Sequence, residues 1–311
     1  MKRFFSLSFV AVATFMCMST LLNAQDVKPA KLLLFTRSEG FVHEPARMGD
    51  NGNSPSGRAL KAYFANKKVE IVETQDGGVF DGDLSQYDGF VFCTTGNLLR
   101  EGKIGKPMTE NGLRNLIASI RSGKGLVGFH NATDTYSNVK DDDGKDIYTK
   151  LIGARFIVHG REQIATVTTV SSGNFPFLKN VKEITVWEEW YTMKNFNKDM
   201  HVLQVQKTKN SDGSWTMYEG DAMYKREPFP TTWIRMEGKG RVGYTSFGHS
   251  DHYFEEKSPS GVEKWGKPEV NVPRIAQLIE WSIGRFNFDT TPNIDKVAPG
   301  AGEKNDREYE K

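Results

Sequence analysis

Cysteine is almost absent from this sequence, which contains only two among its 311 residues. Cys17 lies in an apolar N-terminal segment that we expect to be removed, so Cys93 would remain alone and an internal disulfide is excluded. Cys93 ends the apolar run Gly-Phe-Val-Phe-Cys. We therefore interpret it as a buried strand residue and not as a reactive thiol.

The sequence also lacks a strong net charge, because 41 basic residues face 39 acidic ones. Removal of Lys2 and Arg3 with the N-terminal segment would leave the two signs equal. A chain without excess positive charge lacks the electrostatic surface that binds nucleic acid. Beyond the N-terminus the sequence has no apolar run long enough to span a membrane.

The N-terminus has the pattern of a secretory signal peptide. Lys2 and Arg3 precede the apolar segment Phe4–Leu22, and Ala24 offers a small residue for cleavage. We therefore predict a signal peptide over residues 1–24 and a periplasmic or secreted protein. The alternative is an uncleaved membrane anchor, for which the apolar segment is long enough.

Continuous apolar runs alternate with helical patterns in the first half of the chain. Such runs are typical of parallel strands that are buried on both faces. Leu113, Leu116, Ile117 and Ile120 share one face of a predicted helix, Thr109–Arg121. The order of these elements predicts a doubly wound parallel α/β sheet. The predicted strands are Lys31–Phe35, Val69–Val72, Gly89–Cys93 and Gly125–Phe129.

The pattern changes after Gly160 to short segments in which apolar and polar residues alternate. We interpret these segments as an antiparallel β extension on one edge of the sheet. They are Gln163–Val170, Glu183–Trp187, His201–Lys207 and Ser214–Tyr218. Arg241–Phe247 returns to the buried-strand pattern, and Arg274–Phe286 predicts an amphipathic helix. Asn287–Lys311 has no periodicity and is predicted to be a loose tail, so that one domain spans residues 31–286.

Five of the six histidines follow a predicted strand. They are His43, His130, His159, His249 and His252. Ligands of open α/β sheets bind outside the carboxyl ends of the strands. We therefore expect these imidazoles to gather at a site, with the exception of His252, which we place on the surface.

The segment Gly128-Phe-His130-Asn-Ala132 has the spacing of a nucleophile elbow, with histidine in the nucleophile position. An imidazole at such a turn is expected to be exposed over the strand end, where it suits general acid–base chemistry. Asp134 lies four residues further on and is predicted to orient a ring or bind a hydroxyl group. The alternative is that Asn131 and Asp134 cap a following helix.

The segment Trp187–Tyr191 combines two carboxylates with three aromatic rings, as sugar sites do. Because adjacent strand residues point to opposite faces, only one of Glu188 and Glu189 is expected to face the site unless the strand has ended. An ordinary strand end is the alternative. For substrate binding we name His43, Asn97, Asn131, His159, Trp190 and Tyr191.

A divalent-metal site is an alternative interpretation of the same region. His130, Asp134, His159 and His249 offer nitrogen and oxygen ligands that suit zinc or iron. The spacings that are diagnostic of zinc enzymes are missing, however. The sequence itself predicts no cofactor and does not establish whether a metal is bound.

Several motifs, taken in order, resemble the ThuA-like family, which is named for trehalose utilisation. They are Gly40-Phe-Val-His43, Gly125–Thr135, Leu151–Phe156 leading to His159, Glu189-Trp-Tyr191, Thr232–Arg235 and Phe247-Gly-His249. The resemblance implies a class I glutamine-amidotransferase-like fold, a variant of the flavodoxin-like α/β sandwich. It does not imply amidotransferase activity, because His130 stands where that superfamily has its nucleophilic cysteine. The family usually has proline where this chain has Gly160.

The resemblance further implies a role in sugar catabolism, including the handling of keto-sugars made by a partner oxidoreductase. Our leading hypothesis is an exported isomerase, lyase or hydrolase that acts on a glycoside or keto-sugar. In it His130 is the base, Asp134 orients it, Glu189 binds or protonates a hydroxyl group, and His249 is a second acid or a ligand. The alternatives are a non-catalytic periplasmic sugar-binding protein and a metal-dependent hydrolase.

Overall fold

The computed structural model describes residues 28–102, 104–173, 175–209, 212–214, 228–255 and 268–301, without the side chains of residues 268–270. The predicted signal peptide and most of the predicted strand Ser214–Tyr218 lie outside these residues. Within them, no helix is both long enough and apolar enough to cross a membrane.

A nine-stranded sheet forms the centre of the protein, with the strand order β2-β1-β3-β5-β13-β12-β11-β8-β9. The strands are β1 (Ala30–Phe35), β2 (Val69–Thr74), β3 (Gly89–Phe92), β4 (Gly96–Asn97), β5 (Gly125–Phe129), β6 (Thr135–Tyr136), β7 (Arg155–His159), β8 (Gln163–Thr169), β9 (Glu183–Glu188), β10 (Tyr191–Lys194), β11 (His201–Gln206), β12 (Phe229–Glu237) and β13 (Gly240–Thr245). The pairs from β2 to β13 are parallel, and those from β13 to β9 are antiparallel. The predicted doubly wound sheet with its antiparallel extension is therefore confirmed.

Helices cover both faces of the parallel half of the sheet. They are α1 (Pro55–Phe64), α2 (Glu110–Arg121), α3 (Ile147–Ile152), α4 (Pro268–Ser282) and α5 (Ile294–Val297). Alternate residues of β1 enter two different cores, because Leu33 packs with α2 on one face and Leu34 packs with α1 and α4 on the other. The predicted helix Thr109–Arg121 is confirmed, with the Thr109 hydroxyl accepting the Gly112 N–H as its N-cap.

The segment after Asn287 is not a loose tail over the residues that the structure describes. Asn293 donates to the Val202 carbonyl and accepts from the Val202 N–H, so it pairs with β11 like a strand neighbour. Ile294 of α5 is buried in the core. Two isolated anchoring residues produce no hydrophobic periodicity in the sequence, which is why the pattern predicted a loose tail.

Two small sheets lie beside the central one and shape the region after β5. Strands β4 and β6 pair in parallel, and β7 pairs with β10 in an antiparallel ladder that brings His159 opposite Tyr191. Strand β5 ends at Phe129, and the next residue, His130, has a φ of 40° and begins a short 3-10 helix. A non-glycine residue in this left-handed region is strained, as the nucleophile elbow motif requires.

Gly128 lets the turn after His130 fold back onto its own strand. A Cβ atom at this position would lie 2.7 Å from the Ala132 Cβ and 2.7 Å from the Ile152 Cδ1. The Ala132 atom cannot swing away because it is fixed to the backbone. The close packing of Gly128 therefore sets the position of the His130 turn.

We expect Gly128→Ala to lower the free energy of unfolding by about 1–3 kcal/mol, the usual cost of overpacking a core. The matched control is Gly243→Ala on the neighbouring strand β13, where the added Cβ would lie 3.5 Å from its nearest neighbour, the Leu278 Cδ2 atom. That control should be neutral or stabilising by up to about 1 kcal/mol, since alanine restricts the unfolded chain. Urea unfolding of both variants measures the difference, and equal stabilities would contradict the close approach.

Candidate functional site

Four side chains from distant parts of the chain meet at the carboxyl edge of the sheet. His43 follows β1, His130 follows β5, His249 follows β13, and Glu189 follows β9. The Glu189 Oε2 atom lies 3.4 Å from the Nε2 atom of His130, 3.7 Å from that of His249 and 3.8 Å from that of His43. We call these four residues the imidazole cluster. It brings together three predicted catalytic residues and one predicted binding residue.

The Nδ1 atom of each histidine in the imidazole cluster lies within 3.3 Å of an oxygen atom on the far side from Glu189 Oε2. His130 Nδ1 lies 2.9 Å from the Ser246 carbonyl oxygen. A carbonyl group only accepts, so this nitrogen carries the proton and Nε2 points into the cluster. His43 Nδ1 lies 3.3 Å from the Thr95 hydroxyl oxygen, and His249 Nδ1 lies 3.3 Å from the Glu162 Oε1. The His130 ring is thus oriented by Ser246, and not by Asp134 as the sequence predicted.

Glu188 joins two turns of the site by accepting backbone N–H groups. Its Oε1 accepts from Glu189 at 2.9 Å, and its Oε2 accepts from Gly248 at 3.0 Å. Both glutamates approach the site, which is the case that the sequence analysis allowed if the strand had ended. Strand β9 ends at Glu188, so strand alternation no longer separates them, and Glu188 Oε1 also lies 3.8 Å from His130 Nδ1.

The buried ionisable groups of the site shift one another's pKa values. Burial lowers the pKa of His43 to about 4 and that of His249 to about 3, with the positive charge of His130 adding to both shifts. Burial also disfavours the charged form of His130, but the carboxylates of Glu189 and Glu188 together hold its pKa above the usual value. Burial raises the pKa of Glu188 to about 7.

Glu189 remains a carboxylate although it is largely buried. Burial alone would raise its pKa, but the imidazoles of His130 and His43 outweigh that effect and hold it well below the usual range. At neutral pH the imidazole cluster therefore centres on one carboxylate, with His43 and His249 neutral. Strong mutual perturbation of this kind is typical of functional sites.

Among the histidines and glutamates at the site, solvent exposure is greatest at His159. The His159 side chain is 44% exposed, and the His249 and Glu189 side chains are 15% and 11% exposed. His130 is fully buried, contrary to the expected exposure over the strand end. The Tyr191 ring covers it, with the two ring centroids 4.3 Å apart.

His159 and Asp134 lie next to the imidazole cluster. His159 Nδ1 lies 3.1 Å from Glu189 Oε1 and 2.9 Å from the Gly160 carbonyl oxygen. Asp134 is partly buried, and burial raises the pKa of its carboxyl group to about 6 against the opposing charges of His130 and Arg155. Both side chains surround Glu189 without entering the imidazole cluster.

Three of the remaining residues that we named for substrate binding take part in the internal structure. The Asn97 side chain accepts the Leu99 N–H, and the Asn131 amide donates to the Thr95 hydroxyl. The Trp190 indole is buried and donates to the Gln163 carbonyl, so its ring is not available to a sugar. Tyr191 lies at the imidazole cluster, with its hydroxyl oxygen 3.1 Å from His43 Nε2.

Phe41 is the aromatic residue that the sequence reasoning missed. Its ring is 67% exposed and lies edge-on to His43 at a centroid distance of 4.8 Å. An exposed ring beside a polar cluster offers an apolar surface to a ligand. The signal was present in Gly40-Phe-Val-His43, where a large apolar residue precedes a predicted site histidine by two positions.

We expect Glu188→Ala to lower the free energy of unfolding by about 2–4 kcal/mol, because two buried N–H groups would lose their acceptor. Glu183→Ala is the matched control on the same strand, since Glu183 is exposed. That control should change stability by less than about 0.5 kcal/mol. Urea unfolding measures both, and a small effect at Glu188 would contradict its role in joining the two turns.

Comparison with known proteins shows which relatives share this architecture. Residues 31–262 match the family model ThuA, described as trehalose utilisation. A ThuA-like protein from Parabacteroides merdae superposes with a TM-score of 0.55 at 16% identity, covering 84% of this chain and 92% of that one. A ThuA-like protein from Bacteroides uniformis gives 0.55 at 18% identity, with 84% and 96% covered. No curated protein sequence matches the chain.

Proposed function

Because the chain belongs to the ThuA family, whose model is described as trehalose utilisation, we propose that it is an exported enzyme that processes carbohydrates. The observation that supports catalysis is the convergence of imidazoles and carboxylates on Glu189. The substrate would be a glycoside or a keto-sugar. The exposed Phe41 ring beside His43 suits the apolar face of a sugar ring.

The proton-exchanging groups in this proposal are those that solvent reaches. His159 is exposed and contacts Glu189, so its ring can approach a bound sugar while the carboxylate fixes its orientation. Asp134, with a pKa of about 6, can both give and accept a proton near neutral pH. His130, which we first proposed as the base, becomes a positioning residue because it is buried behind Tyr191.

A base and an acid on the same side of a site suit the chemistry of keto-sugars. Abstraction of the proton next to a keto carbonyl requires a base, and departure of a glycosidic oxygen requires an acid. This chemistry would serve an isomerase or a lyase, and hydrolysis would need water at the same position. A keto-sugar has to be made by oxidation of a sugar hydroxyl, so the proposal includes a partner sugar oxidoreductase.

We expect His159→Ala to lower the turnover of a keto-disaccharide by about two to four powers of ten, the usual contribution of a general acid or base. The melting temperature should change little, because the side chain is 44% exposed. The control is His252→Ala, which removes a histidine outside the imidazole cluster. Full turnover in His159→Ala would contradict the assigned role, and sugar binding without turnover in the unmodified protein would favour a binding protein.

Export is tested separately. Mass spectrometry of the protein from its native host should show an N-terminus at Gln25, because the segment before it has the charge and apolar pattern of a signal peptide. Recovery of chains that begin at Met1 from the cytoplasmic fraction would contradict the periplasmic or secreted location.

A further inference from the structure

The imidazole cluster has the donor atoms of a transition-metal site. One ligand atom from each of His43, His130, Glu189 and His249 lies within 4.8 Å of all the others. From these donors and their spacing we propose that the imidazole cluster binds one divalent first-row transition-metal ion. In this proposal His43 and Glu189 are ligands in place of Asp134 and His159, which the sequence analysis had named.

The distances in the cluster fit such an ion. Zinc–nitrogen and zinc–oxygen bonds of about 2.0–2.1 Å place neighbouring donors of a tetrahedral site roughly 3.4 Å apart. Glu189 Oε2 lies 3.4, 3.7 and 3.8 Å from the three Nε2 atoms. All four donors lie within 4.8 Å of one another, so side-chain movements on the order of an ångström would bring them to the spacing of a tetrahedral site.

The outer contacts of the three histidines strengthen the inference. Histidines that bind metals usually donate the other ring N–H to a carbonyl, a carboxylate or another oxygen, which fixes the ring and its tautomer. Here the Nδ1 atoms face the Ser246 carbonyl, the Glu162 carboxylate and the Thr95 hydroxyl. The Ser246 carbonyl fixes the His130 ring with Nε2 toward the cluster, and oxygen atoms of Thr95 and Glu162 lie 3.3 Å from the other two Nδ1 atoms.

His130 Nε2 gives an independent reason for a cation at that point. This atom is buried and has no hydrogen-bond partner among the residues that the structure describes. A buried polar atom without a partner is rare in folded proteins and calls for an explanation such as a bound ion. A cation would satisfy it, and would also coordinate His43 Nε2, which lies 3.1 Å from the Tyr191 hydroxyl oxygen.

The donor chemistry indicates the class of ion. Three imidazole nitrogens with one carboxylate suit zinc, iron, cobalt or manganese, whereas calcium and magnesium prefer all-oxygen sites. The Glu189 and His249 side chains are 11% and 15% exposed, so a water molecule or a sugar oxygen arriving from solvent would be the further ligand. An open coordination position of this kind is typical of catalytic metals. A catalytic role for the ion rests on the proposed function.

Metal binding can be measured without any sugar. The mature protein is stripped with a chelator and dialysed, and then Zn²⁺, Co²⁺ or Mn²⁺ is titrated in by calorimetry, with bound metal counted by mass spectrometry. The test variants are Glu189→Gln, which keeps the side-chain shape, and His249→Ala. The matched control is His252→Ala, because the His252 and His249 side chains are both 15% exposed.

We expect one ion per chain in the unmodified protein and in His252→Ala. The affinity should fall by roughly a hundredfold or more in both test variants, since loss of a ligand costs at least as much as loss of its outer partner. Co²⁺ should give a visible absorption band that Glu189→Gln weakens. Circular dichroism of each variant without added metal verifies that a loss of metal binding is not a loss of folding. If Glu189→Gln does not fold, the affinity of His249→Ala alone tests the proposal.

Two results would overturn the proposal: substoichiometric binding of all three ions by the unmodified protein, or unchanged affinity in a folded test variant. The outcome is distinguishable from that of the proposed function. Binding of one ion without turnover of any sugar would keep the metal site and reject the enzyme. Turnover by a metal-free protein that binds no ion would keep the enzyme and reject the metal site.

Discussion

The contact on which the rest of the site depends is between two adjacent buried carboxylates and the turns that follow the parallel strands. Glu188 binds the backbone at Gly248, and Glu189 meets the three inward-facing imidazoles. A buried carboxylate is costly unless its oxygens find donors or positive charge. The antiparallel half of the sheet therefore has to deliver these two residues to the carboxyl edge of the parallel half, and this requirement ties the two halves together.

The sequence predicted the parts that depend on strong local patterns. Continuous apolar runs such as Lys31–Phe35 identified the parallel strands, and the known position of sites in such sheets placed His130 and His249 together. The burial of His130 was not predictable, because Tyr191 reaches it from a separate two-stranded sheet. The approach of both glutamates depended on where β9 ends, and strand ends are the least certain feature of a pattern.

The turn after β5 has the geometry of a nucleophile elbow, but it does not present a cysteine nucleophile. His130 occupies the strained position, and Cys93 is buried with its sulfur 3.3 Å from the Asn131 Oδ1. Burial raises the pKa of the Cys93 thiol, so it is not available as a thiolate at neutral pH. The same backbone geometry that holds a nucleophile in other proteins here directs an imidazole toward Glu189.

The most direct test of the central claim is a crystal structure of the His159→Ala protein soaked with a keto-disaccharide. We expect sugar density beside Glu189, next to Asp134 and Phe41, with a sugar oxygen directed toward the imidazole cluster. Density at a different place, such as the cavity lined by Arg114, Lys150 and Glu237, would contradict the account, because the imidazole cluster would then have no part in binding the sugar.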